Sequence, residues 1–580
     1  MIVLGINISH DSSLSIIKDG EHIFSLAEER LNRIKVYTGF PFLALRYIIE
    51  NDIVKAEEID AVAIASAVFS KRWAFTYAFE LTENKKYYDT LNERQPNDFF
   101  IDDQEYLNIK SKQDCKNYVN SKIKKILSNV GIKASIEYVD HHLAHSSAAY
   151  YASGFNKALS ITMDGVGDKL SSTVSICNNG KMERVSKTTG KNSVGLLYSE
   201  VTKMCGYKVA RHEGKITGLA AHGDYKKSEN CFDKLLKVRN GEILYIDPIW
   251  RKLKRIFLHV VESKKTRRAS VLLNRCGKLS DKDLAASIQR LLEKKVVESI
   301  SYWVDKTGIQ DVVLGGGLFA NVKINQHISE IPNINNLFIY PDMGDGGNAY
   351  GAAAYLYFKE GQVNPVKIKN VYLGPEFTNK YIETMLFKHN DTVKYNLSKN
   401  ICKDTAKLVS ENKIIGWFQG RMEYGPRALG NRSIIASPVD ATINKWLNDR
   451  MKRTEFMPFA PSCLYDHADE LFDIPKESMK YPAQFMTMTF NMKKKWSDRA
   501  PAVSHVDQTA RPQLVTKEGN LKYHQLLEEY NKITGLPLLI NTSFNVHEEP
   551  IVCTPEEGLN SLLTGVIDYF CVGDYVCRLK

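Results

Sequence analysis

The sequence predicts an α/β protein in which one β-rich unit occurs twice and is followed by a second, α+β domain. Three observations support this prediction. The order strand, turn, strand, turn, strand of residues 1–27 returns from residue 158, two glycine-rich segments follow apolar strands, and "GQVNPVKIKN" interrupts the helical pattern between the domains. We therefore place the domains at residues 1–362 and 363–580.

Length, composition and cysteine usage limit the class of protein. The chain has 580 residues, too many for one compact core, and its 43% hydrophobic and 25% charged residues are typical of a globular protein. Its ten cysteines form no CxxC pair, which disfavours a zinc ribbon or a disulfide framework. No stretch is long and apolar enough to cross a bilayer, and the amino terminus reads as a strand, so we expect a cytoplasmic protein.

The net charge of +11 is distributed over many lysines rather than concentrated in one tract. The runs "RKLKR" (251–255) and "KKTRR" (264–268) are basic enough to meet nucleic acid or phosphate. Such runs are more often solvated faces of helices. We therefore expect neither a nucleic-acid partner nor a membrane partner.

The repeated unit is recognisable by its strands and its turns. "IVLGINIS", "SLSIIKDG" and "EHIFSLAEE" form a β-meander with a turn at Asp19-Gly20, and "ALSITMDGVGD", "SSTVSICNNG" and "KMERVSK" repeat it with Asn179-Gly180. Asp164 then takes the place of Asn7. The matching order and turn residues are less consistent with chance, so we expect two related halves with a cleft between them.

A histidine motif lies between the two copies. "FPFLALRYIIENDI" predicts a helix, "IDAVAIAS" a strand, and a charged stretch ending near residue 129 another helix. "ASIEYVD" then predicts a strand that runs into "HHLAH" (141–145). In a helix, His141 and His145 lie about 5–6 Å apart at their β-carbons, which suits two imidazoles on one metal ion, whereas His142 points elsewhere. Taken alone, such a pair is more often an ordinary polar helix start.

Two glycine-rich segments follow apolar strands and precede helices. They are "DVVLGGGLFANVKIN" (311–325) and "YPDMGDGGNAYGAAAY" (340–355). Glycine lets a phosphate or sugar approach the backbone, and the amino end of a helix favours negative charge, although glycine packing explains either segment alone. Two imidazoles and two carboxylates suit Fe(II), Mn(II) or Zn(II). The candidate metal ligands are His141, His145, Asp164 and Asp345.

These motifs, taken in order, resemble the NodU/CmcH-type O-carbamoyltransferase family, which includes the tobramycin carbamoyltransferase. The segments that carry the resemblance are "HDSSLSIIKDG", "HHLAH", "MDGVGD", "EGKITGLAAHG", "GGGLFANVKIN" and "GDGGNAYGAA". The resemblance implies a duplicated actin-like ATPase (ribonuclease-H-like) domain, similar to the tRNA-threonylcarbamoylation protein whose HxxxH motif binds iron or zinc. It also implies that His10 is the catalytic base on the acceptor hydroxyl and that the metal is Fe(II), or Zn or Mn.

The second domain contains a loop rich in arginine, glycine and proline. "IIGWFQGRMEYGPRALGNRSIIASP" (414–438) predicts strand 414–418 and then a shaped loop, and arginine is suited to bidentate binding of phosphate or carboxylate. With "HVDQTARPQ" and "INTSFN", it resembles the family's α+β YrdC-like domain. Thr454-Glu455-Phe456 and Gln508 are small departures that remove no charged group.

The resemblance implies a set of contacts to nucleotide and carbamoyl phosphate in both domains. This set contains Lys215, Gly315, Gly316, Gly317, Asn321, Arg421, Arg427, Arg432, Lys452, Arg453, His505, Asp507, Arg511, Asn541, Thr542, Ser543 and Asn545.

The implied mechanism uses two sites. The second domain combines carbamoyl phosphate and ATP, the latter with magnesium, into carbamoyl adenylate, and the first domain transfers the carbamoyl group to a hydroxyl of a small-molecule or sugar acceptor. The products are a carbamate ester and AMP. A homodimer is compatible with the sequence, and segment 70–110 is either an acceptor lid or a packed surface insertion.

Three other functions were considered. A sugar kinase of the actin-like superfamily shares the first domain but lacks "GPRALGNRS" and "HVDQTARPQ". A tRNA threonylcarbamoyl transferase shares the metal motif but normally lacks the fused second domain in this order. A chaperone-like ATPase does not account for His10, the metal carboxylates and the arginine loop in one chain.

Overall fold

The computed structural model describes residues 1–66, 111–228, 232–246, 279–359, 365–451, 459–546 and 548–580. Several predicted features lie outside these residues. They are the domain boundary at 362–363, segment 70–110, the basic runs 251–255 and 264–268, Lys452 and Arg453.

The strands, in chain order, are β1 (Ile2–Asn7), β2 (Ser13–Lys18), β3 (Glu21–Ala27), β4 (Ala61–Ile64), β5 (Ser135–Tyr138), β6 (Lys157–Gly167), β7 (Leu170–Asn178), β8 (Lys181–Thr189), β9 (Leu236–Arg239), β10 (Glu242–Tyr245), β11 (Asp311–Gly315), β12 (Asn336–Ile339), β13 (Val393–Leu397), β14 (Ile415–Phe418), β15 (Arg432–Ala436), β16 (Ala460–Leu464), β17 (Phe472–Asp473), β18 (Phe490–Met492), β19 (Thr509–Ala510), β20 (Gln513–Val515), β21 (Leu538–Ser543), β22 (Tyr569–Val572) and β23 (Tyr575–Leu579).

The α-helices are α1 (Glu29–Asn32), α2 (Phe42–Glu50), α3 (Lys112–Asn129), α4 (His141–Tyr151), α5 (Val194–Met204), α6 (Glu213–Ala220), α7 (Asp281–Thr307), α8 (Val322–Ser329), α9 (Asn348–Phe358), α10 (Asn379–Phe387), α11 (Ile401–Ser410), α12 (Ile443–Arg450), α13 (Ala468–Leu471), α14 (Lys480–Ala483), α15 (Lys494–Arg499), α16 (Leu521–Thr534) and α17 (Pro555–Leu563). In the described part of the chain, no helix has the length and apolarity needed to cross a membrane.

Two five-stranded sheets of the same topology form the first part of the chain. The first has the order β3-β2-β1-β4-β5 and the second the order β8-β7-β6-β11-β12. In each, the first three strands are antiparallel and the last two run parallel to the first strand. The structure is therefore mixed α/β, and the duplication predicted from the two meanders is confirmed.

The equivalent hairpins have equivalent turns. Asp19 and Asn179 have φ values of 51° and 47°, and the glycines that follow, Gly20 and Gly180, have φ values of 88° and 77°. Two consecutive residues with positive φ form the type of tight turn that matches the twist of the flanking strands. The Asp-Gly and Asn-Gly pairs are therefore the reason that both meanders form at the same place.

Helices α4 and α9 pack against each other between the two sheets, and small residues make this close approach possible. A Cβ at Gly351 of α9 would lie 1.9 Å from the carbonyl oxygen of Ala144 in α4. A Cβ at Gly5 of β1 would lie 1.9 Å from the carbonyl oxygen of Ala349. Because α4 follows β5 and α9 follows β12, this contact brings together the ends of the two sheets.

The second domain is built on an eight-stranded mixed sheet. Its order is β13-β23-β22-β14-β15-β21-β16-β20, and a three-stranded sheet, β17-β18-β19, lies beside it. The segment before this sheet is bonded to the first domain, because the Val366 amide donates to the Tyr151 carbonyl at 2.9 Å and the Ser25 amide to Leu373 at 3.1 Å. The described part of the predicted linker is thus a docked segment.

Candidate functional site

The four predicted metal ligands lie together at the ends of the two sheets. His141 begins α4, with Asp140 as the helix cap, and His145 follows one turn later. Asp164 lies in β6, and Asp345 begins a 3₁₀ turn between β12 and α9. All four residues are buried or nearly so, and one donor atom from each lies within 4.8 Å of the others.

The distances between the donor atoms fit one divalent ion. The Nε2 atoms of His141 and His145 are 3.1 Å apart, and His141 Nε2 is 3.3 Å from Asp164 Oδ2. Asp345 Oδ1 is 3.5 Å from His141 Nε2 and 3.4 Å from His145 Nε2. Two donors at about 2.1 Å from an ion lie roughly 3.0–3.4 Å apart, depending on the coordination geometry. Asp345 Oδ1 is also buried and accepts no hydrogen bond from the described residues, so the donor set fits a metal.

Glycines make room for the two imidazoles. A Cβ at Gly167 would lie 1.9 Å from Cδ2 of His141, and one at Gly315 would lie 2.8 Å from the carbonyl oxygen of His145. Gly316 has a φ of 102°, and the Gly317 amide donates to Asp164 Oδ1 at 3.0 Å. The Gly315–Gly317 loop therefore contacts the cluster directly and orients one of its carboxylates.

Charge in the cluster is balanced between acids and imidazoles. Burial alone lowers the pKa of His141, but Asp345 and Asp164 outweigh burial and raise that pKa to about 9. Burial opposes the ionisation of Asp164 and Asp345, yet the neighbouring histidines lower the pKa of both carboxyl groups. A protonated imidazole thus offsets part of the carboxylate charge while no ion is bound, and a metal cation would take the place of that proton.

His142 does not belong to the cluster, as the helical spacing predicts. Its Nδ1 lies 2.8 Å from the Thr162 hydroxyl. Burial and the nearby His141 lower the pKa of His142 to about 3, so the ring is neutral. It packs between α4 and β6 and supports the helix that presents the other two histidines.

His10 lies at the open edge of the cluster. Asn7 orders the loop that carries it, because its amide donates to the carbonyls of His10 at 3.1 Å and Asp11 at 3.2 Å. His10 Nδ1 is 2.8 Å from Asp11 Oδ2, and its Nε2 is 3.3 Å from Asp345 Oδ2. The side chain is 45% exposed. The imidazole therefore contacts two carboxylates, and its exposed part can exchange a proton with a molecule bound at this edge.

Lys215 and Asn321 lie within the second half of the first domain. Lys215 is buried on α6, with Nζ 5.8 Å from the centre of the Tyr207 ring. Asn321 caps α8 by accepting the Ile324 amide at 3.3 Å, and its own amide donates to Gln289 at 2.8 Å. The observed contacts of Asn321 are therefore structural, and they order the helix after the Gly315–Gly317 loop.

Two of the predicted arginines hold the loop of the second domain in place. Arg432 is fully buried and donates to the carbonyls of Gln419 at 2.7 Å and Pro375 at 3.1 Å. Arg421 donates to the carbonyl of Ile23 in the first domain at 2.8 Å. Because their guanidiniums bond to backbone carbonyls, these two arginines order the loop and attach it to the first domain.

Two other predicted arginines are enclosed without a bonded acid. The buried Nε atoms of Arg427 and Arg511 have no hydrogen-bond partner in the described part of the chain. Burial lowers the pKa of Arg427, and burial together with the nearby Arg427 guanidinium lowers that of Arg511 well below its usual value. Two cations brought together in this way form a site that an anion would stabilise.

The remaining predicted residues surround this loop or join it to the first domain. His505 Nδ1 is 3.1 Å from Asp507 Oδ1, and Asp507 pairs with Lys323 of α8 at 2.9 Å. Asn541 donates to the Ala428 carbonyl at 3.2 Å, beneath the loop. At the end of β21, the Ser543 hydroxyl donates to Asn545 at 2.6 Å, and Thr542 lies on the same strand.

Some residues at the site were not predicted. Ser9 donates to Asp345 Oδ2 at 2.8 Å, and the Asn348 amide lies 3.2 Å from His145 Nε2. Ser9 is the neighbour of His10, and Asn348 lies three residues after Asp345 within "GDGGNAYG". Their positions beside the candidate base and ligand are the signal that identifies them. The Tyr424 hydroxyl, which donates to the carbonyl of Gly346 beside Asp345, has no comparable signal in the sequence.

Two family models match most of the chain. Residues 2–354 match the family model described as Carbamoyltransferase N-terminus, and residues 406–579 match that described as Carbamoyltransferase C-terminus. The chain belongs to the carbamoyltransferase family and is an enzyme of that class. The family resemblance seen in the sequence is thereby confirmed.

Two relatives match nearly the full chain, and a third matches about half of it. Nodulation protein NolNO of Sinorhizobium fredii is 31% identical over 576 residues, which covers 98% of this chain and 79% of the relative. An uncharacterized protein of Methanocaldococcus jannaschii is 31% identical over 581 residues, 99% of each chain. Nodulation protein U of Sinorhizobium fredii is 31% identical over 274 residues, 47% of this chain and 46% of that protein.

Two solved structures show a weak overall likeness. Component A of (R)-2-hydroxyglutaryl-CoA dehydratase from Acidaminococcus fermentans has a TM-score of 0.33 and 16% identity, and covers 62% of this chain and 98% of its own. HypF of T. kodakarensis has a TM-score of 0.31 and 15% identity, over 62% of this chain and 48% of its own. The duplicated fold follows from the strand order of the chain itself.

Proposed function

We propose that this chain is an ATP-dependent O-carbamoyltransferase with two sites. Its second domain, which we propose to be YrdC-like, forms carbamoyl adenylate from carbamoyl phosphate and ATP. Its first domain, which we propose to be actin-like, transfers the carbamoyl group to a hydroxyl of a small-molecule or sugar acceptor. The observation that carries this proposal is the presence, in one carbamoyltransferase chain, of an unpaired arginine pair and a separate His/Asp cluster beside an exposed histidine.

The arginine pair is the proposed activation site. Arg427 and Arg511 lie on neighbouring segments, because Gln513, two residues after Arg511, donates to the carbonyl of Leu429, two residues after Arg427, at 2.6 Å. The described residues offer the Nε atoms of both arginines no acceptor. Phosphate groups of carbamoyl phosphate or ATP supply both the negative charge and the oxygen acceptors that this pair lacks. His505 and the residues at the end of β21 complete the proposed site.

The activation step has to join a carbamoyl group to AMP. Carbamoyl phosphate is cleaved by water to carbamate and inorganic phosphate, a carbamate oxygen attacks the α-phosphorus of ATP, and pyrophosphate leaves. Carbamate by itself is a poor acylating agent, whereas the mixed anhydride has AMP as a good leaving group. In this scheme, Arg427 and Arg511 bind the phosphates and stabilise the charge that develops on them.

The metal would be held by His141, His145, Asp164 and Asp345. Fe(II), Zn(II) and Mn(II) all accept two imidazoles and two carboxylates, and such an ion supplies Lewis-acid stabilisation of phosphate or carbamoyl oxygen. The residues of the chain orient this centre: Gly317 and Ser9 donate to its carboxylates at 3.0 and 2.8 Å. They thereby fix which carboxylate oxygens face the cluster.

His10 is the proposed base for transfer. Its exposed ring is oriented through Nδ1 by Asp11 and lies beside Asp345, so an acceptor bound at this edge places its hydroxyl next to the imidazole. His10 takes the hydroxyl proton as the oxygen attacks the carbamoyl carbon, and AMP leaves. The product is a carbamate ester of the acceptor.

Product analysis tests this function. Purified protein is incubated with ATP, magnesium and carbamoyl phosphate, with and without a pool of sugars and hydroxylated small molecules, and nucleotides and pyrophosphate are separated by chromatography. We expect AMP and pyrophosphate that depend on carbamoyl phosphate. ADP that forms regardless of carbamoyl phosphate would contradict the proposal and would indicate a phosphotransferase or an ATPase.

A further inference from the structure

The backbone carbonyl next to a candidate metal ligand is bonded by both domains. Gly346 directly follows Asp345, and its carbonyl oxygen accepts the hydroxyl of Ser13 from β2 at 2.8 Å. The same carbonyl accepts the hydroxyl of Tyr424 from the arginine loop of the second domain. Tyr424, in the arginine loop of the second domain, therefore contacts the turn that carries the candidate metal ligand Asp345.

The arginine loop is firmly seated where Tyr424 makes this contact. Tyr424 is 3% exposed, and its amide donates to the Val371 carbonyl at 2.8 Å. The next carbonyl, that of Gly425, accepts Arg30 Nη2 from the first domain at 2.9 Å. Arg427 lies two residues further along. The phenol is thus held from both sides, and it is connected to the arginine pair by a short stretch of backbone.

The loop around Asp345 is tight. A Cβ at Gly346 would lie 2.4 Å from Asp342 Oδ2, and one at Gly347 would lie 2.0 Å from the Asp342 carbonyl oxygen. In so close a turn, the orientation of the Gly346 peptide and the direction of the Asp345 side chain depend on each other. The Gly346 carbonyl is held by these two hydroxyls and by the Asn348 amide, and these bonds therefore affect where Asp345 points.

We propose that Tyr424 is a positioning residue that holds Asp345 in the geometry required for metal binding, so that the transfer site is completed by the docked arginine loop. This inference rests on the proposed metal centre. Without the phenol hydroxyl, the Gly346 carbonyl keeps its bonds from Ser13 and from the Asn348 amide, and Ser9 still donates to Asp345. The turn loses its bond to Tyr424 of the second domain, so Asp345 is held less firmly. Metal affinity in the first domain then depends on a side chain of the second.

Tyr372 offers a matched control within the same domain. Its hydroxyl, like that of Tyr424, donates to a backbone carbonyl, that of Leu429 in the arginine loop, at 2.6 Å, and it accepts the Asn520 amide at 2.9 Å. That bond remains inside the second domain. Tyr372→Phe and Tyr424→Phe each remove one hydroxyl, but only Tyr424→Phe alters the contact with the metal loop.

Cobalt binding by the full-length, metal-free protein tests the inference. Co²⁺ accepts the same nitrogen and oxygen donors, and its visible absorption reports ligand geometry independently of any enzymatic activity. For Tyr424→Phe, we expect a changed spectrum and affinity weaker by on the order of 10-fold, the range seen for residues that orient metal ligands. For Tyr372→Phe, we expect the wild-type spectrum and affinity. Thermal unfolding of both variants shows whether they are folded.

A second variant protects the test against a general packing defect. Arg30→Lys shortens the side chain that binds the Gly425 carbonyl and leaves Tyr424 intact, and we expect it to weaken Co²⁺ binding in the same direction. Wild-type affinity and spectrum in folded Tyr424→Phe would overturn the inference, as would equal losses in both tyrosine variants. Failure of the wild-type protein to bind Co²⁺ would instead overturn the proposed metal centre, which is a separate result.

Discussion

The two halves of the first domain have the same strand order but carry different side chains at equivalent ends. At the end of β1, Asn7 uses its amide to shape the loop that presents His10. At the end of β6, the corresponding position holds Asp164, which faces His141 at 3.3 Å. One position of the repeated unit thus orders a loop with a candidate base in the first half and supplies a candidate metal ligand in the second.

The last strands of the two sheets, β5 and β12, are also followed by different functional residues. Beyond β5, helix α4 begins with His141 and His145, and beyond β12 the turn before α9 begins with Asp345. Gly351 lets α9 approach α4, so the two strand ends face each other across the contact of these helices. Duplication therefore supplies equivalent backbone positions, and substitutions at those positions build a centre that neither half contains alone.

The largest expected effect comes from removing a ligand of the first half. His141→Ala should abolish stoichiometric metal binding and lower carbamoyl transfer by about 100-fold or more, because the remaining buried carboxylates lose a neighbouring donor. AMP formation in the second domain should survive. Metal analysis and the two half-reactions measure this, with His327→Ala, a histidine that bonds Glu330 at the surface, as the control. Joint loss of both half-reactions would argue against two sites.

A change in the second domain should leave the centre between the two halves intact. Arg427→Ala removes one of the unpaired guanidiniums, and we expect AMP formation to fall by about 100-fold because an enclosed phosphate contact is lost. Metal content should stay at the wild-type level. Arg499→Ala, an arginine stacked on Trp496 at 4.8 Å, serves as the control. Loss of metal in Arg427→Ala would show that the sites are wrongly divided.

Asp164→Asn gives the second half the residue that the first half has at this position. The amide keeps an oxygen for the Gly317 amide but loses the negative charge, so we expect metal affinity to fall by about 10–100-fold. Competition with a chelator measures the change, and Asp233→Asn, at a surface ion pair with Lys294, is the control. Unchanged affinity would remove Asp164 from the ligand set.

The contact between the halves can be tested through stability. Gly351→Ala places a Cβ against the Ala144 carbonyl, and overpacking of this kind costs about 1–3 kcal/mol of unfolding free energy. Gly214→Ala, whose Cβ would meet no atom within 4 Å, is the matched control and should not destabilise the protein. Chemical denaturation compares the two. Equal stabilities would show that α4 and α9 separate at no cost.

The smallest expected effect is on the pH dependence of stability. It comes from His22, a buried histidine of the first half whose equivalent in the second half is apolar. His22, the second residue of β3, stacks on Tyr350 of α9 at 4.2 Å, whereas the second residue of β8 is Met182. Burial, reinforced by Arg421, lowers the pKa of His22 to about 3. Between pH 3 and about 6.5, the ordinary pKa of histidine, His22 is protonated in the unfolded chain but neutral in the folded protein. The contribution of neutral His22 to the free energy of unfolding is therefore complete above pH 6.5 and is lost as the pH falls.

His22→Met should therefore flatten the pH dependence of stability. The slope of unfolding free energy between pH 5 and 6 should fall by up to about 1.4 kcal/mol per pH unit relative to the wild type. Denaturant unfolding at several pH values measures both slopes. Identical slopes would show that His22 is protonated in the folded protein.

The elements of the first domain could be predicted because each carries a local signal. The helix of "FPFLALRYIIENDI" is α2, the strands of "IDAVAIAS" and "ASIEYVD" are β4 and β5, and the Asp-Gly and Asn-Gly turns lie where expected. Three of the four candidate ligands follow a strand within a short motif, and the fourth, Asp164, lies near the end of β6, which is why the sequence brings them into one hypothesis. Their ligand role stays a prediction until a metal is measured.

The contacts of the arginine loop could not be predicted from the local sequence. Arg427 and Arg432 lie in the same glycine-containing segment, and the buried Nε of each lacks a partner among the described residues, yet of the two only Arg432 has its Nη atoms bonded to backbone carbonyls there. Only the folded backbone distinguishes them. Likewise, Tyr424 and Gly346 are 78 residues apart and Arg30 and Gly425 are 395 apart, so no periodicity indicates these contacts.

Anomalous X-ray scattering from a crystal of the metal-loaded protein tests most directly whether the two halves converge on one centre. We predict a single strong peak, at the absorption edge of the bound metal, surrounded by Nε2 of His141 and His145 and by the carboxylates of Asp164 and Asp345, with bond lengths of about 2.0–2.3 Å. A peak bound by residues of only one half, or metal-loaded protein with no peak at this cluster, would contradict the account.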